Sequence, residues 1–185
     1  MKKSVLAAVV VAALGVSAMA PSAFAETTKM VGGAAMYPSK TIVANAVNSK
    51  DHTTLVAAVK AAGLVDTLSS PGPFTVFAPT NAAFGKLPAG TVDTLVKPES
   101  KATLTSILTY HVVAGRLTAA DLEANAMAHG GKATLKTVQG ENLTVSKSGM
   151  GWKVTDAKGG SAMITIADVM QSNGVIHVVD TVLMP

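Results

Sequence analysis

Apolar residues recur at helical spacing through the first half of the chain. The stretch 53–64 (TTLVAAVKAAGL) places its larger apolar side chains on one face and has Gly63 as a typical C-terminal cap, so it predicts a helix. Shorter helical patterns follow Ser39 and Thr80, each a candidate N-cap, and a longer helix is predicted over residues 99–112. The first half of the chain is therefore expected to be mainly helical.

The hydrophobic period changes to two in one early stretch and in most of the chain after Gly130. The early stretch, 72–80 (GPFTVFAPT), predicts a buried strand that stops at Pro79. After Gly130, four strand-like runs are separated by glycine-containing turns, as in a hairpin meander, and a last Val/Ile-rich run ends the chain. Helices first and strands afterwards predict an α+β fold.

The first 25 residues have the pattern of a secretory signal peptide. A basic start (MKK) precedes an apolar stretch and a small-x-small cleavage site at Ala23–Ala25, so the exported chain is expected to begin at Glu26. The apolar stretch is too short and alanine-rich for a typical membrane span of roughly 20 residues, although an uncleaved N-terminal anchor is the alternative. Residues 26–38 are expected to form an N-terminal arm, and residues 39–185 the folded domain.

Charge and composition narrow the classes of function. The chain has 15 basic and 11 acidic residues, and loss of Lys2 and Lys3 with the leader would leave a net charge of +2. Basic residues are not clustered and aromatic residues make up only 4% of the chain, so no binding of nucleic acid is predicted. The chain has no cysteine, and the domain must therefore be stabilised by its core without disulfides.

His111, in the stretch TYHVVAG (109–115), is the first candidate for chemistry. On the predicted helix 99–112 it shares a face with apolar residues, which favours a buried and neutral structural histidine over a base or a ligand. Such a histidine would need a hydrogen-bond partner in the core. Tyr110 lies one step around the helix from this face.

No pattern typical of a catalytic or metal site is present. The chain has neither GxSxG nor HExxH, and its four histidines are never spaced at i+2 or i+4. Asp121 and Glu123 are too close in sequence to oppose each other across a glycosidase cleft, and Asp121 matches a capping box with Thr118 instead. Met127 and His129 would offer soft ligands to copper, but two ligands alone do not predict a metal site.

Three stretches in order resemble the signature sequences of the fasciclin domain family. They are FTVFAPTNAAF (74–84), LTYHVVAG (108–115) and NGVIHVVDTVLMP (173–185). The resemblance runs from about Ser39 to Pro185 and is nearest to single-domain secreted bacterial members. It implies a wedge of two β-sheets with about seven strands, and several α-helices packed along one side.

The resemblance also implies a function. Fasciclin domains are typically extracellular adhesion or protein-binding modules without enzyme activity and without an obligatory cofactor. The family's Tyr-His stretch, linked to adhesion, maps onto Tyr110 and His111. Because helical spacing turns His111 inward, Tyr110 is the better candidate to touch a partner, together with Arg116 in the following turn. The expected partner is a cell-surface or matrix protein or glycan, met by a monomer in the periplasm or outside the cell, with no membrane span after cleavage.

Other positions within the three stretches have structural interpretations. Thr80 and Asn81 are expected to cap the helical turn after the early strand. In the last strand, His177 and Asp180 fall on opposite faces, and an Asp among β-branched residues is expected to be a buried acceptor whose hydrogen bonds are satisfied. Either Asp180 or Thr80 is a candidate acceptor for His111.

Two other functions stay open at this point. A small hydrophobic-ligand or lipid carrier would need an apolar pocket between the helices and the wedge. An enzyme would need Ser, His and Asp side chains that cluster only in the folded chain.

Overall fold

The computed structural model describes residues 27–185, and this part of the chain contains nine strands and seven α-helices. The strands are β1 (Lys29–Val31), β2 (Ala34–Met36), β3 (Phe74–Pro79), β4 (Val112–Ala114), β5 (Lys132–Lys136), β6 (Asn142–Ser148), β7 (Gly151–Thr155), β8 (Ser161–Gln171) and β9 (Gly174–Val179). The helices are α1 (Ile42–Ala46), α2 (Thr53–Ala62), α3 (Val65–Ser69), α4 (Asn81–Gly85), α5 (Thr91–Leu95), α6 (Lys101–Tyr110) and α7 (Ala119–Ala128). The expected signal peptide lies outside the described residues.

Helix ends follow the capping signals in the sequence. Helix α2 ends at Gly63, whose φ of 74° is left-handed and suits a residue without a side chain. Thr118 and Asp121 form both hydrogen bonds of a capping box at the start of α7. Both features confirm the predictions made from sequence.

Two predicted helix boundaries are wrong. The hydroxyl of Thr41, rather than Ser39, accepts from the backbone at the start of α1. The helix predicted over residues 99–112 is α6, which follows a 3₁₀ turn (Pro98–Ser100) and stops at Tyr110 because the next residues leave the helix and pair with β3 as β4. A helical and an extended segment therefore meet at His111, the C-cap of α6.

Seven strands form one strongly curved sheet in the order β4-β3-β9-β8-β7-β6-β5. All neighbours are antiparallel except β3 and β9, which run parallel although they lie about 100 residues apart in sequence. The two edges of the sheet nearly meet, because Val113 forms a β-bridge with Thr137 and the N–H of Val138 donates to the carbonyl of Val112 at 2.7 Å. The predicted α+β fold is confirmed.

The sheet separates two hydrophobic cores. The helix core lies between helices α1, α2, α3, α4 and α6 and one face of β3 and β9, and includes Ile176 and Val178. The sheet core lies inside the curve of the sheet, under α7, and includes Phe77 and Val179. Successive residues of β9 alternate between the two cores, so all six are buried.

Residues expected as an N-terminal arm form a hairpin. Strands β1 and β2 make a separate two-stranded sheet, and their Val31 and Met36 are buried in the helix core. The ammonium of Lys29 donates to the carbonyl of Ala167 in β8. The hairpin is thus attached to the domain by apolar burial and by a hydrogen bond. None of the helices within residues 27–185 has the length and hydropathy of a membrane span.

Candidate functional site

The three signature stretches meet at one end of the seven-stranded sheet. They supply the adjacent strands β4, β3 and β9. The N–H of Phe77 donates to the carbonyl of His111 at 2.9 Å, and the N–H of Leu183 donates to His111 Nε2 at 3.0 Å. We call Phe77, Tyr110, His111 and Leu183 the core junction. His111, in the second stretch, therefore bonds to one residue of the first stretch and to one residue of the third.

His111 is buried, with 2% of its surface exposed. Nδ1 donates to the carbonyl of Ile107 at 2.8 Å while Nε2 accepts from Leu183, an arrangement that requires the neutral ring with its proton on Nδ1. Burial lowers the pKa of His111 to about 4, although the Ile107 carbonyl acts in the opposite direction. With both nitrogens engaged, the ring has no free atom for a ligand or a substrate.

Tyr110 is not on the surface, in contrast to the expectation from sequence. Its side chain is fully buried in the sheet core. The hydroxyl donates to the carbonyl of Asn142 at 3.1 Å and accepts from the N–H of Ala157 at 2.9 Å, so it joins the end of α6 to β6 and to the turn before β8. A direct contact of this side chain with a partner is excluded in this conformation.

Thr80 and Asn81 serve two different helices. The Thr80 hydroxyl accepts from the N–H of Ala83 at 3.2 Å and caps α4, as expected. Asn81 does not cap this turn. Its amide oxygen accepts from the N–H of Thr54 at 3.0 Å and its nitrogen donates to the carbonyl of Lys50 at 2.8 Å, which fixes the start of α2 against α4.

Asp180 is half-exposed rather than buried, which corrects the expectation from sequence. Its carboxylate accepts from the N–H of Met163 at 2.8 Å and lies 3.5 Å from the ammonium of Lys86. Partial burial acts to raise the pKa of Asp180, but the Met163 N–H, the Thr181 hydroxyl and Lys86 together hold it below its ordinary value. Neither Asp180 nor Thr80 bonds to His111.

His177 shapes the surface near Arg116 from within. The ring is fully buried; Nε2 donates to the carbonyl of Leu117 at 2.8 Å and Nδ1 accepts from the N–H of Asp168 at 3.3 Å. Burial lowers the pKa of His177, so the ring is neutral at pH 7. This neutral histidine links the turn after β4 to β8.

Residues 115–119, the Arg116 loop, are held by several hydrogen bonds in addition to that of His177. The hydroxyl of Thr75 donates to the carbonyl of Gly115 at 2.7 Å and accepts from the N–H of Leu117 at 2.9 Å. At the far end of the loop, the N–H of Ala119 donates to Asp168 Oδ1 at 2.7 Å. A loop fixed at both ends loses little conformational entropy when it binds a partner.

Asp168 adopts an unusual backbone conformation to reach this loop. Its φ of 55° is left-handed and makes Asp168 the only non-glycine residue of this kind within residues 27–185. It lies in an irregular part of β8, where the register with β9 shifts. Aspartate tolerates this region better than most residues, and its carboxylate is thereby directed to the first N–H of α7.

Arg116 is exposed beside an open groove of about 680 Å³. Its Nη2 donates to the carbonyls of Gln171 and Ser172 at 3.1 and 3.3 Å. The groove, which we call the Arg116 groove, is lined by Thr27, Lys29, Pro38, Arg116, Asp168, Met170, Gln171 and Ser172. Neither Arg116 nor Lys29 forms an ion pair with another residue of the described chain. The groove thus offers two cations without a bound carboxylate.

The enclosed cavities are much smaller than this groove. Three apolar cavities near the helices measure about 20, 30 and 20 Å³, room for about one water molecule each. His52 borders the first; its Nδ1 is 2.9 Å from the Ser49 hydroxyl, while Nε2 has no hydrogen-bond partner in the described residues. Burial lowers the pKa of His52. A lipid chain would enter these cavities only if helices moved apart.

Met127 and His129, the candidate copper ligands, lie at the end of α7. Met127 is largely exposed, and His129 Nδ1 bonds to the carbonyl of Asn125 in its own helix at 2.8 Å. In the part of the chain that the structure describes, no group of three or more His, Cys, Asp or Glu residues is placed to hold a metal ion.

A match to the family model of the fasciclin domain covers residues 50–185, which include all three signature stretches. The chain belongs to the fasciclin domain family. The domain is a non-enzymatic adhesion-type module known from extracellular proteins. The resemblance identified from sequence is therefore confirmed.

Curated relatives and a solved structure agree with this membership. Protein sll1483 of Synechocystis is 48% identical over 91% of this fasciclin domain protein and 86% of the relative. The cell surface glycolipoprotein MPB83 of Mycobacterium bovis is 43% identical over 66% of this chain, which spans about half (48%) of MPB83. A FAS1 domain pair from the insect cell adhesion molecule fasciclin I shares the fold, with a TM-score of 0.71, 20% identity, and coverage of 80% of this chain and 52% of the pair.

Sequence reasoning found Arg116 but missed the residues that make the groove of this fasciclin domain. Lys29 belongs to a hairpin whose signal, Gly-Gly between short apolar runs, was present at residues 32–33. Asp168 interrupts an apolar strand-like run, and aspartate is depleted in strands, so it marked an irregularity. Nothing in the sequence linked Thr75 to the Arg116 loop, because that contact depends on how β3 and β4 pair.

Proposed function

We propose that this protein is an extracytoplasmic adhesion module that binds a cell-surface or matrix protein or glycan through the Arg116 groove and catalyses no reaction. The observation that carries the proposal is an exposed arginine, without an ionic partner in the described chain, on a loop fixed by several hydrogen bonds beside a groove. Fixed loops on a rigid scaffold are the usual position of binding residues. The groove, at about 680 Å³, has the size of many ligand sites.

The binding surface proposed from the structure is displaced from the Tyr-His stretch. Tyr110 and His111 are both buried, so they act on binding only by holding the strands together. Arg116 and the turn that contains it keep the role expected from sequence. The Tyr-His stretch thus supports the surface, and the residues after it form the contact.

An extracytoplasmic location is supported by two observations. The first 25 residues have the pattern of a signal peptide. The relative MPB83 is described as a cell surface glycolipoprotein. We propose that the protein works as a monomer in the periplasm or outside the cell, with modest affinity that increases when several copies act together.

The lipid-carrier alternative receives no support from the apolar cavities. The three apolar cavities near the helices are each about the size of one water molecule, whereas ligand pockets usually measure roughly 300 Å³ or more. The proposal therefore rests on the open groove.

Blocking the groove tests this function. Ser172 is exposed at the groove and Ser161 is exposed at the other end of β8, so Ser172→Trp and Ser161→Trp form a matched pair. The full chain and both variants, attached to beads, would be incubated with cells of the source bacterium and with extracellular matrix. We expect the unchanged chain and Ser161→Trp to bind, and Ser172→Trp to lose most binding.

Each variant would first be shown to unfold cooperatively at a temperature close to that of the unchanged chain. Equal binding by the two variants would place the contact elsewhere on the domain. Absence of binding by all three proteins to every surface would contradict the adhesion proposal itself.

A further inference from the structure

We propose that the Arg116 groove recognises an acidic segment of a partner polypeptide, with a carboxylate of that segment paired to the Arg116 guanidinium. This inference rests on the proposed function and names the chemistry of its partner. It is independent of the Tyr-His stretch.

The first argument is the way in which Arg116 is held. Only Nη2 is engaged, by the carbonyls of Gln171 and Ser172, and the other guanidinium N–H groups bond to no described residue. These carbonyls orient the planar group without neutralising it, because a neutral carbonyl removes no charge. A guanidinium that is oriented and still charged is suited to a carboxylate, which accepts two parallel N–H groups.

The second argument is the charge of the groove. Lys29 adds a second cation, whose ammonium donates to the Ala167 carbonyl. The one carboxylate in the lining, that of Asp168, is directed to the N–H of Ala119 at the start of α7. The positive charge of the groove repels cationic partners and attracts anionic ones, so the groove favours an acidic ligand.

The third argument concerns the class of macromolecule. Beside the cations, the lining contains the apolar side chains of Pro38 and Met170. An acidic polypeptide carries aliphatic side chains next to its carboxylates, and methionine adapts its shape to such groups. An acidic glycan offers few apolar groups to these two residues. The mixed lining therefore fits a peptide better than a polyanionic sugar.

Two peptides that differ only in charge provide the test. Both are blocked decapeptides of Gly, Ser and two Leu residues; one contains four Glu residues and the other four Gln residues at the same positions. Each would be titrated into the ¹⁵N-labelled full chain, with amide shifts followed by NMR. We expect saturable shifts at Thr27, Lys29, Met170 and Ser172 with the Glu peptide, and binding at least about tenfold weaker with the Gln peptide.

Variants then assign the effect to Arg116. We expect Arg116→Gln to weaken binding of the Glu peptide by up to about fivefold, since an exposed ion pair contributes up to about 1 kcal/mol. Lys97→Gln removes the same charge from an exposed position that is not part of the groove lining and should change nothing. Ser172→Trp should block the peptide while every charge is retained, which keeps the test valid if Arg116→Gln proves unstable.

The outcomes separate this inference from the proposed function. Equal affinity for the two peptides, or an unchanged affinity in Arg116→Gln, would overturn the carboxylate contact. Tight binding of a heparin fragment with no binding of the Glu peptide would overturn the choice of a polypeptide. If Ser172→Trp abolishes adhesion to cells but the Glu peptide produces no shifts, the groove remains the adhesion site and this inference alone is wrong.

Discussion

The core junction and the Arg116 groove use polar side chains in opposite ways. In the core junction, the polar side-chain atoms of Tyr110 and His111 all bond to the protein's own backbone. In the groove, Arg116 and Lys29 each use one nitrogen on backbone carbonyls and keep their charge available. The stretches that identify the family thus specify how strands join, and the proposed binding residues lie outside those stretches.

The largest expected effect is that of His111→Ala. The change leaves the N–H of Leu183 unpaired inside the core and creates a cavity, so the free energy of unfolding should fall by about 3–5 kcal/mol. Urea denaturation followed by circular dichroism measures this loss. His129→Ala, at an exposed histidine, should cost less than about 1 kcal/mol. Similar costs for the two variants would show that the core junction is not a centre of stability.

Acid should destabilise the two cores through their buried histidines. The pKa of His111 falls from 6.5 to about 4 on folding, so the unfolded chain binds the proton more tightly. Stability is then fully present above pH 6.5 and decreases toward pH 4, by about 3 kcal/mol from His111 alone. The pKa values of His52 and His177 are lowered too and act in the same direction.

Urea denaturation at pH 7.5, 6.0, 5.0 and 4.5 measures this dependence. All four pH values lie above the ordinary pKa of aspartate, 3.8. Asp180, whose pKa is lowered, therefore contributes little to the pH dependence of stability in this range. A free energy of unfolding that stays constant across the window would contradict the buried neutral histidines.

Tyr110→Phe should have a smaller effect, which is also confined to the core. It removes a hydroxyl that bonds to Asn142 and Ala157, and we expect a loss of about 1–2 kcal/mol in the free energy of unfolding. Binding at the groove should be unchanged, as measured with the bead assay at a temperature where the variant is folded. Tyr37→Phe, at an exposed tyrosine, is the matched control. Loss of binding by a fully folded Tyr110→Phe would assign the contact to the Tyr-His stretch after all.

The smallest expected effect on stability is that of Asp168→Asn. Asparagine accepts the left-handed backbone and retains an oxygen for the N–H of Ala119, so the free energy of unfolding should change by less than about 0.5 kcal/mol. The groove becomes more positive by one charge, and the Glu peptide should bind about twofold more tightly at low salt. The NMR titration measures this change. Weaker binding would indicate that the Asp168 carboxylate itself contacts the ligand.

The sequence predicted the fold well because its local signals agree with one another. Gly63 and the capping box of Thr118 lie where a helix must end or begin, and each depends on only a few neighbouring residues. Alternating apolar residues predicted the meander for the same reason. The end of α6 was predicted two residues too late, because the pairing of Val112 with Val76 in β3 outweighs helical spacing.

The candidate site was less predictable because its contacts are distant in sequence. Lys29 lies 138 residues from Ala167, and Arg116 lies 55 residues from Gln171. The exposed position expected for Tyr110 was wrong because one helix face was considered, whereas the curved sheet and α7 enclose a second core on another side. Where a helix is buried on two sides, the spacing of the apolar residues on one face does not show which of its other residues are exposed.

The place of β9 makes folding of the whole domain depend on residues 173–185. Strand β9 follows the other strands in sequence but lies between β3 and β8, and Leu183 completes the hydrogen bonds of His111. A growing chain that still lacks residues 173–185 therefore has a gap in the middle of its sheet and one face of both cores uncovered. Insertion of β9 completes both cores at once, which makes their folding one cooperative event.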